Sequence, residues 1–170
     1  MISSVCIDIN DDNDYIDFQK LSNYFDKIDN KYIKTQMKQA SNLELIQSLC
    51  YTHKENHIII NYPYFKYITK NNIYSGDEII QYLINVMQNV LKEHKQFIIH
   101  LNTNSLNLID VEKYYLFIQK VSQIMKDHFP EKMKTCYIYN APYVFSKLFS
   151  IVSIFIDKDT QKKIKIMDTH

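Results

Sequence analysis

Cys50, His53 and His57 read Cys-x₂-His-x₃-His, the spacing of a metal-binding segment. Thiolate and imidazole are the usual zinc donors, and a structural site closes with four of them. No fourth partner is evident and His57 opens a β-branched run, so the spacing reads as coincidence. Asp11, Asp12 and Asp14 offer hard carboxylate oxygens, yet the glycine and bidentate glutamate of a calcium loop do not follow them. His100 sits inside an apolar run, where a hydrogen-bonded core histidine is expected and a polar place on a cavity wall is the alternative. Gly76 is the only glycine. A glycine-rich phosphate cradle needs more than one, and no nucleophile elbow is present. The expectation is therefore a protein that is not an enzyme, with no cofactor and no metal site.

The elements that must position such residues follow from composition and periodicity. At 170 residues the chain suits one domain, expected to span 1–170. Lysine supplies all 20 cations against 19 acids. That balance gives no basic face for nucleic acid, and the absence of arginine removes the guanidinium fork. Cys6, Cys50 and Cys136 are odd in number and unpatterned, which suits reduced thiols rather than a disulfide framework. No basic leader precedes an apolar run, so a secretory signal is not expected, and no window reaches the length of a membrane span. A cytoplasmic protein is the expectation.

Val5, Ile7 and Ile9 alternate as in a strand over 4–9, and Phe18, Leu21, Phe25 and Ile28 recur as in a helix over 15–29. Ser41 to Glu44 and Ser75 to Glu78 are capping-box patterns opening two further helices. The runs at 57–62, 96–103, 134–140 and 163–167 read as strands, the first ended by Pro63. Asp110 is expected to cap one long helix carrying Val111 to Met125, and residues 142–155 form the last helix. Strands separated by helices imply parallel neighbours, so the fold class is α/β with a mostly parallel sheet of about five strands flanked by helices.

The segment HFPEKMKTCYIYNAPYVFSKLFSIVSIFIDKDTQKKIKIM resembles the hallmark stretch of the CRAL-TRIO family of lipid-binding domains. Pro-Glu, Asn-Ala-Pro and Phe-Ile-Asp follow one another in the family's order and spacing. The resemblance covers a core at 55–167, leaves residues 1–50 as a divergent N-terminal part, and marks the chain as a reduced version in which the strand at 4–9 takes a vacated sheet edge. It implies that Asn140-Ala141-Pro142 ends a strand and starts a gate helix over an apolar pocket, with Pro142 presetting the first turn. Gate and pocket would include Phe145, Leu148, Phe149, Val152, Phe155, Leu83, Met87, Ile98, His100, Tyr137 and Tyr139.

Such a pocket has a physical purpose, since an acyl chain in water costs on the order of 10 kcal/mol. In relatives that bind phosphatidylinositol, an acid and a lysine contact the head group, and they match Glu131 and Lys163. Carboxylates accept from inositol hydroxyls and lysine is a point charge for phosphate. The polar pair that marks phosphatidylcholine binding would fall near Lys95 and Phe97, which do not match. The resemblance thus implies non-enzymatic binding, with transfer between membranes, of a phospholipid or other hydrophobic molecule. Phosphatidylinositol or a phosphoinositide is the expected ligand, and the protein meets a membrane surface transiently and peripherally. The alternative is a protein-interaction scaffold with a collapsed pocket, whose partner would be another protein.

Overall fold

Both serine–glutamate pairs start helices. The Glu44 amide donates to Ser41 Oγ at 3.2 Å while the Ser41 amide donates to Glu44 Oε2 at 3.4 Å. Ser75 and Glu78 make the same exchange at 3.2 and 2.7 Å. Each box satisfies two amides that a first helical turn cannot pair internally. The computed structural model describes residues 30–167. The strand expected over 4–9 and the helix over 15–29 lie outside the described residues.

In chain order, α1 (Asn30–Gln39) and α2 (Asn42–Leu49) lead into β1 (Cys50–His53) and β2 (His57–Asn61). Next come α3 (Tyr62–Lys70), α4 (Gly76–Leu91) and β3 (Phe97–Asn102). They are followed by α5 (Leu108–Lys113), α6 (Tyr115–His128) and β4 (Met133–Tyr139). The described chain closes with α7 (Phe145–Ser153), α8 (Lys158–Lys162) and β5 (Ile164–Met167). The strands lie side by side in sequence order, β1 to β5. β1 is antiparallel to β2, and every later pair is parallel. The α/β architecture with a mostly parallel five-stranded sheet is the one expected.

Local chemistry accounts for the elements that sequence periodicity missed. β1 is too short to show a period, and it exists because a hairpin turn folds it onto β2. Lys54 supplies the left-handed residue of that turn, with φ 55°. Pro63 ends β2 as expected but also sits inside the first turn of α3, where its missing N–H costs nothing. The long helix expected from Asp110 is two helices, and its cap is Asn107, whose Oδ1 accepts from the Asp110 amide at 2.9 Å. Tyr114 (φ −101°, ψ 17°) breaks the helix between α5 and α6. The Asp110 carboxylate is buried and meets Lys66 Nζ at 3.0 Å, tying α5 to α3.

Alternation along the strands divides the side chains between two faces of the sheet. On one face Ile58, Ile99, Cys136 and Ile138 pack with Leu49 of α2, Phe65 and Ile68 of α3, and Leu83 and Met87 of α4. On the reverse, Ile59, Ile98, Tyr137, Tyr139 and Met167 form a second cluster, with Tyr51 against it. Helix burial is uneven. α4 buries Ile79, Ile80, Leu83, Met87 and Val90, whereas α6, almost as long, buries no residue and α7 buries Leu148 alone.

Candidate functional site

The gate segment leaves the sheet through a backbone conformation rather than through its proline. Asn140 follows β4 in the left-handed region, φ 56°. Asparagine is among the few residues that reach this region at low cost. Its Nδ2 donates to Asn102 Oδ1 at 3.0 Å, an oxygen that also accepts from the Asn104 amide at 3.1 Å. Pro142 was expected in the first helical turn. It lies instead in the preceding turn, where its carbonyl accepts from the Phe145 amide at 2.8 Å. At the far end, Gln161 Nε2 donates to the carbonyls of Ser153 and Ile156 at 3.0 and 2.7 Å, tying α7 to α8.

Along α7 the apolar positions are graded. Leu148 is buried; Phe145, Phe149 and Val152, with Phe155 just beyond the helix, are half-buried. Phe145 stacks on Phe149 at 6.0 Å and Phe155 meets Tyr115 of α6 edge-on at 4.9 Å. Phe145 packs against the helix-covered face of the sheet, together with Phe117, Ile124 and Met125 of α6. Phe145, at the start of the gate, therefore lies on the same face as Leu83 and Met87.

The four strand residues expected in the pocket do not. Ile98, Tyr137 and Tyr139 lie in the reverse cluster, and His100, register partner of Tyr137, shares their face. They lie on the opposite face of the sheet from Phe145. The strand positions on the gate's side are Ile99, Leu101, Cys136, Ile138 and Ile164, one residue away in each strand. A period of two sets the alternation, not which half faces the helices, so a one-residue choice reverses the whole set.

On the reverse face His57, His100 and Tyr139 form a hydrogen-bonded row across β2, β3 and β4. His57 Nδ1 lies 2.8 Å from His100 Nε2, and His100 Nδ1 lies 2.7 Å from the Tyr139 hydroxyl. Burial, reinforced by Tyr137 and Cys136, pushes the Tyr139 phenol well above its ordinary value, so it stays a neutral hydroxyl. His100 is thus a bonded core histidine. The Cys-His-His spacing does not converge either. Cys50 pairs with Ile60 on the helix-covered face, while His53 and His57 are register partners on the reverse. Burial pushes the Cys50 thiol up to about 12, far from the thiolate a metal requires.

Glu131 and Lys163 stand at one end of the sheet. Glu131 is exposed, left-handed at φ 58°, and stands two positions before the first residue of β4; its carbonyl accepts from Gln96 Nε2 at 3.0 Å. Lys163 is half-buried between α8 and β5, and its carbonyl accepts from the Cys136 amide at 2.9 Å. Two open clefts are lined by described residues. One of about 620 Å³ runs along α1, α2, β1 and α3, with Gln36, Glu44 and Asn61 in its wall; the other, about 330 Å³, lies beside Lys92 and Lys132. Neither contains an expected pocket residue.

The CRAL/TRIO domain model matches residues 42–170, most of the chain. The chain belongs to the CRAL/TRIO family. Among curated CRAL/TRIO relatives, the Sec14 cytosolic factor of Schizosaccharomyces pombe is 31% identical over 70 residues, 41% of this chain and 24% of that protein. The SEC14 cytosolic factor of Yarrowia lipolytica is 33% identical over 66 residues, 39% of this chain and 13% of its own. The aligned stretches are thus about a quarter or less of those relatives' lengths. The crystal structure of Sfh5 superposes with a TM-score of 0.59 over 76% of this chain and 53% of that one, at 15% identity, which shows a shared CRAL/TRIO fold.

Proposed function

We propose that the chain binds a hydrophobic ligand without covalent chemistry in an apolar space between α6, α7 and the helix-covered face of the sheet. One observation carries this reading: α6 buries none of its apolar residues and α7 buries only Leu148. A helix of fourteen residues that serves only to close a core sinks a stripe of side chains, as α4 does. Here Phe117, Ile118, Ile124 and Met125 of α6 stay half-buried beside Phe145, Phe149, Val152 and Phe155. Both helices are held weakly enough for α7 to swing on Asn140 and admit acyl chains among them. Leu83 and Met87 then form the inner wall, with Leu101 and Ile138 as the sheet's contribution. The relatives are named cytosolic factors, which agrees with a carrier that works from the cytosol. No helix among the described residues is long and apolar enough to cross a membrane.

In this reading the ligand is a phospholipid, of the phosphatidylinositol or phosphoinositide type. Glu131 follows α6 and Lys163 follows α8, both at the end of the sheet where β4 and β5 begin, and in this reading they hold the head group. Mass spectrometry of lipid extracted from the purified protein is expected to find close to one phospholipid per chain. Glu131→Ala and Lys163→Ala are expected to weaken inositol-lipid binding about tenfold each, the effect of one lost charge-assisted contact. Leu148 is buried and Phe145 packs against the helix-covered core, and this favours the scaffold with a collapsed pocket as the second reading. A lipid-free protein that moves no lipid between vesicles would establish the scaffold.

A further inference from the structure

Asparagine at the start of a helix ordinarily turns its side chain onto that helix's first amides. Asn61 ends β2 and stands at the N-terminus of α3, yet its side chain makes no capping bond. Its Nδ2 donates instead to the Ser48 carbonyl of α2 at 2.9 Å, and its Oδ1 accepts from Asn102 Nδ2 at 3.4 Å. Asn102 ends β3 and is the register partner of both Asn61 and Tyr139. Asn140 follows Tyr139 directly, so each of three neighbouring strands carries an asparagine at or just beyond its carboxyl end. Asn102 Oδ1 accepts from Asn140 Nδ2 at 3.0 Å and from the Asn104 amide at 3.1 Å, which fills both its lone pairs. Asn61 is 7% exposed and Asn102 2% exposed, so water does not compete for these bonds.

A carboxamide fits either way round until a group of single polarity decides. The Ser48 carbonyl only accepts, which turns Asn61 Nδ2 toward it and leaves Asn61 Oδ1 for Asn102. The Asn104 amide only donates, which turns Asn102 Oδ1 toward it and toward Asn140. Both backbone groups demand the same arrangement. Thr103 grips the other side of the joint, its amide and hydroxyl donating to the Tyr139 carbonyl at 2.9 and 2.8 Å. With that carbonyl held, a turn about the φ of Asn140 carries the gate and the Asn140 side chain together.

We infer that Asn102 is the positioning residue of the gate: its bond from Asn140 holds α7 against the sheet, and the gate leaves only as that bond breaks. The inference rests on the carrier reading for what the gate admits. It adds which contact sets how often the gate opens.

Asn102→Leu keeps the side chain's size and removes its bonds, while Asn140→Gly removes the same bond and keeps the left-handed backbone easy. In hydrogen–deuterium exchange of the lipid-free chain, each is expected to speed the α7 amides relative to those of α4 about fivefold, the effect of one net hydrogen bond. A general loss of stability would speed α4 at least as much. The double variant should match either single, since both remove one bond. Asn102→Asp keeps oxygens for Asn140 and Asn104 and should leave the exchange ratio near that of the unaltered chain. An unchanged ratio in Asn140→Gly, or effects that multiply in the double variant, would overturn the inference. Transfer of fluorescent phosphatidylinositol between vesicles tests the carrier reading separately. Faster gate exchange in a protein that moves no lipid keeps the role of Asn102 and removes the carrier. Lipid transfer by a protein whose gate ignores Asn102 and Asn140 does the reverse.

Discussion

At the scale of residues, burial decides which reactive groups are available. Cys50 and Cys136 are buried in the core, and desolvation pushes both thiols up to about 12. A group whose value is raised on folding lends stability below its unfolded value and loses it as pH climbs to the folded one. Stability should therefore hold to about pH 8.5, the ordinary thiol value, and decline toward pH 12. Peptide-resolved alkylation at pH 8 should leave Cys50 and Cys136 unmodified in native protein and label both in urea. Rapid native labelling of either would refute the burial argument. The His57–His100–Tyr139 row was legible in sequence only at His100, as a histidine within an apolar run. Its partners come from strands 43 and 39 residues away, which no local pattern joins.

Among elements, the gate's exit depends on one asparagine doing two things. Asn140 adopts the left-handed backbone and bonds Asn102 across to β3. Replacing it by alanine should cost about 1–2 kcal/mol in urea unfolding, the strained backbone and the lost bond together. Asn140→Gly removes the bond but not the conformational ease, so it should recover roughly half of that loss. If glycine and alanine were equally damaging, the side-chain bond alone would matter. Asn-Ala-Pro was readable as a strand end; its mechanism was not, because proline attracts the explanation that its neighbour's φ supplies. Capping boxes were readable for the opposite reason, each being complete within four residues.

For the whole molecule, uneven burial should appear as uneven stability. Regions with few buried contacts open at lower free energy than the core. Amides of α6 and α7 should exchange with deuterium faster than those of α4, β2 and β3, and bound phospholipid should slow them selectively. Equal protection across α4 and α6 would contradict an apolar space beneath the gate.

Strand–helix alternation, helix caps and the Pro-Glu to Asn-Ala-Pro series determined the fold class and the family from the chain alone, because each is a local or ordered property. Which side of each strand faces the gate was decided only in three dimensions. Leu83 and Met87 lie with Phe145, whereas Ile98, His100, Tyr137 and Tyr139 look the other way. Alternation is symmetric between the two faces, and the choice is made by the helices that cross over one of them.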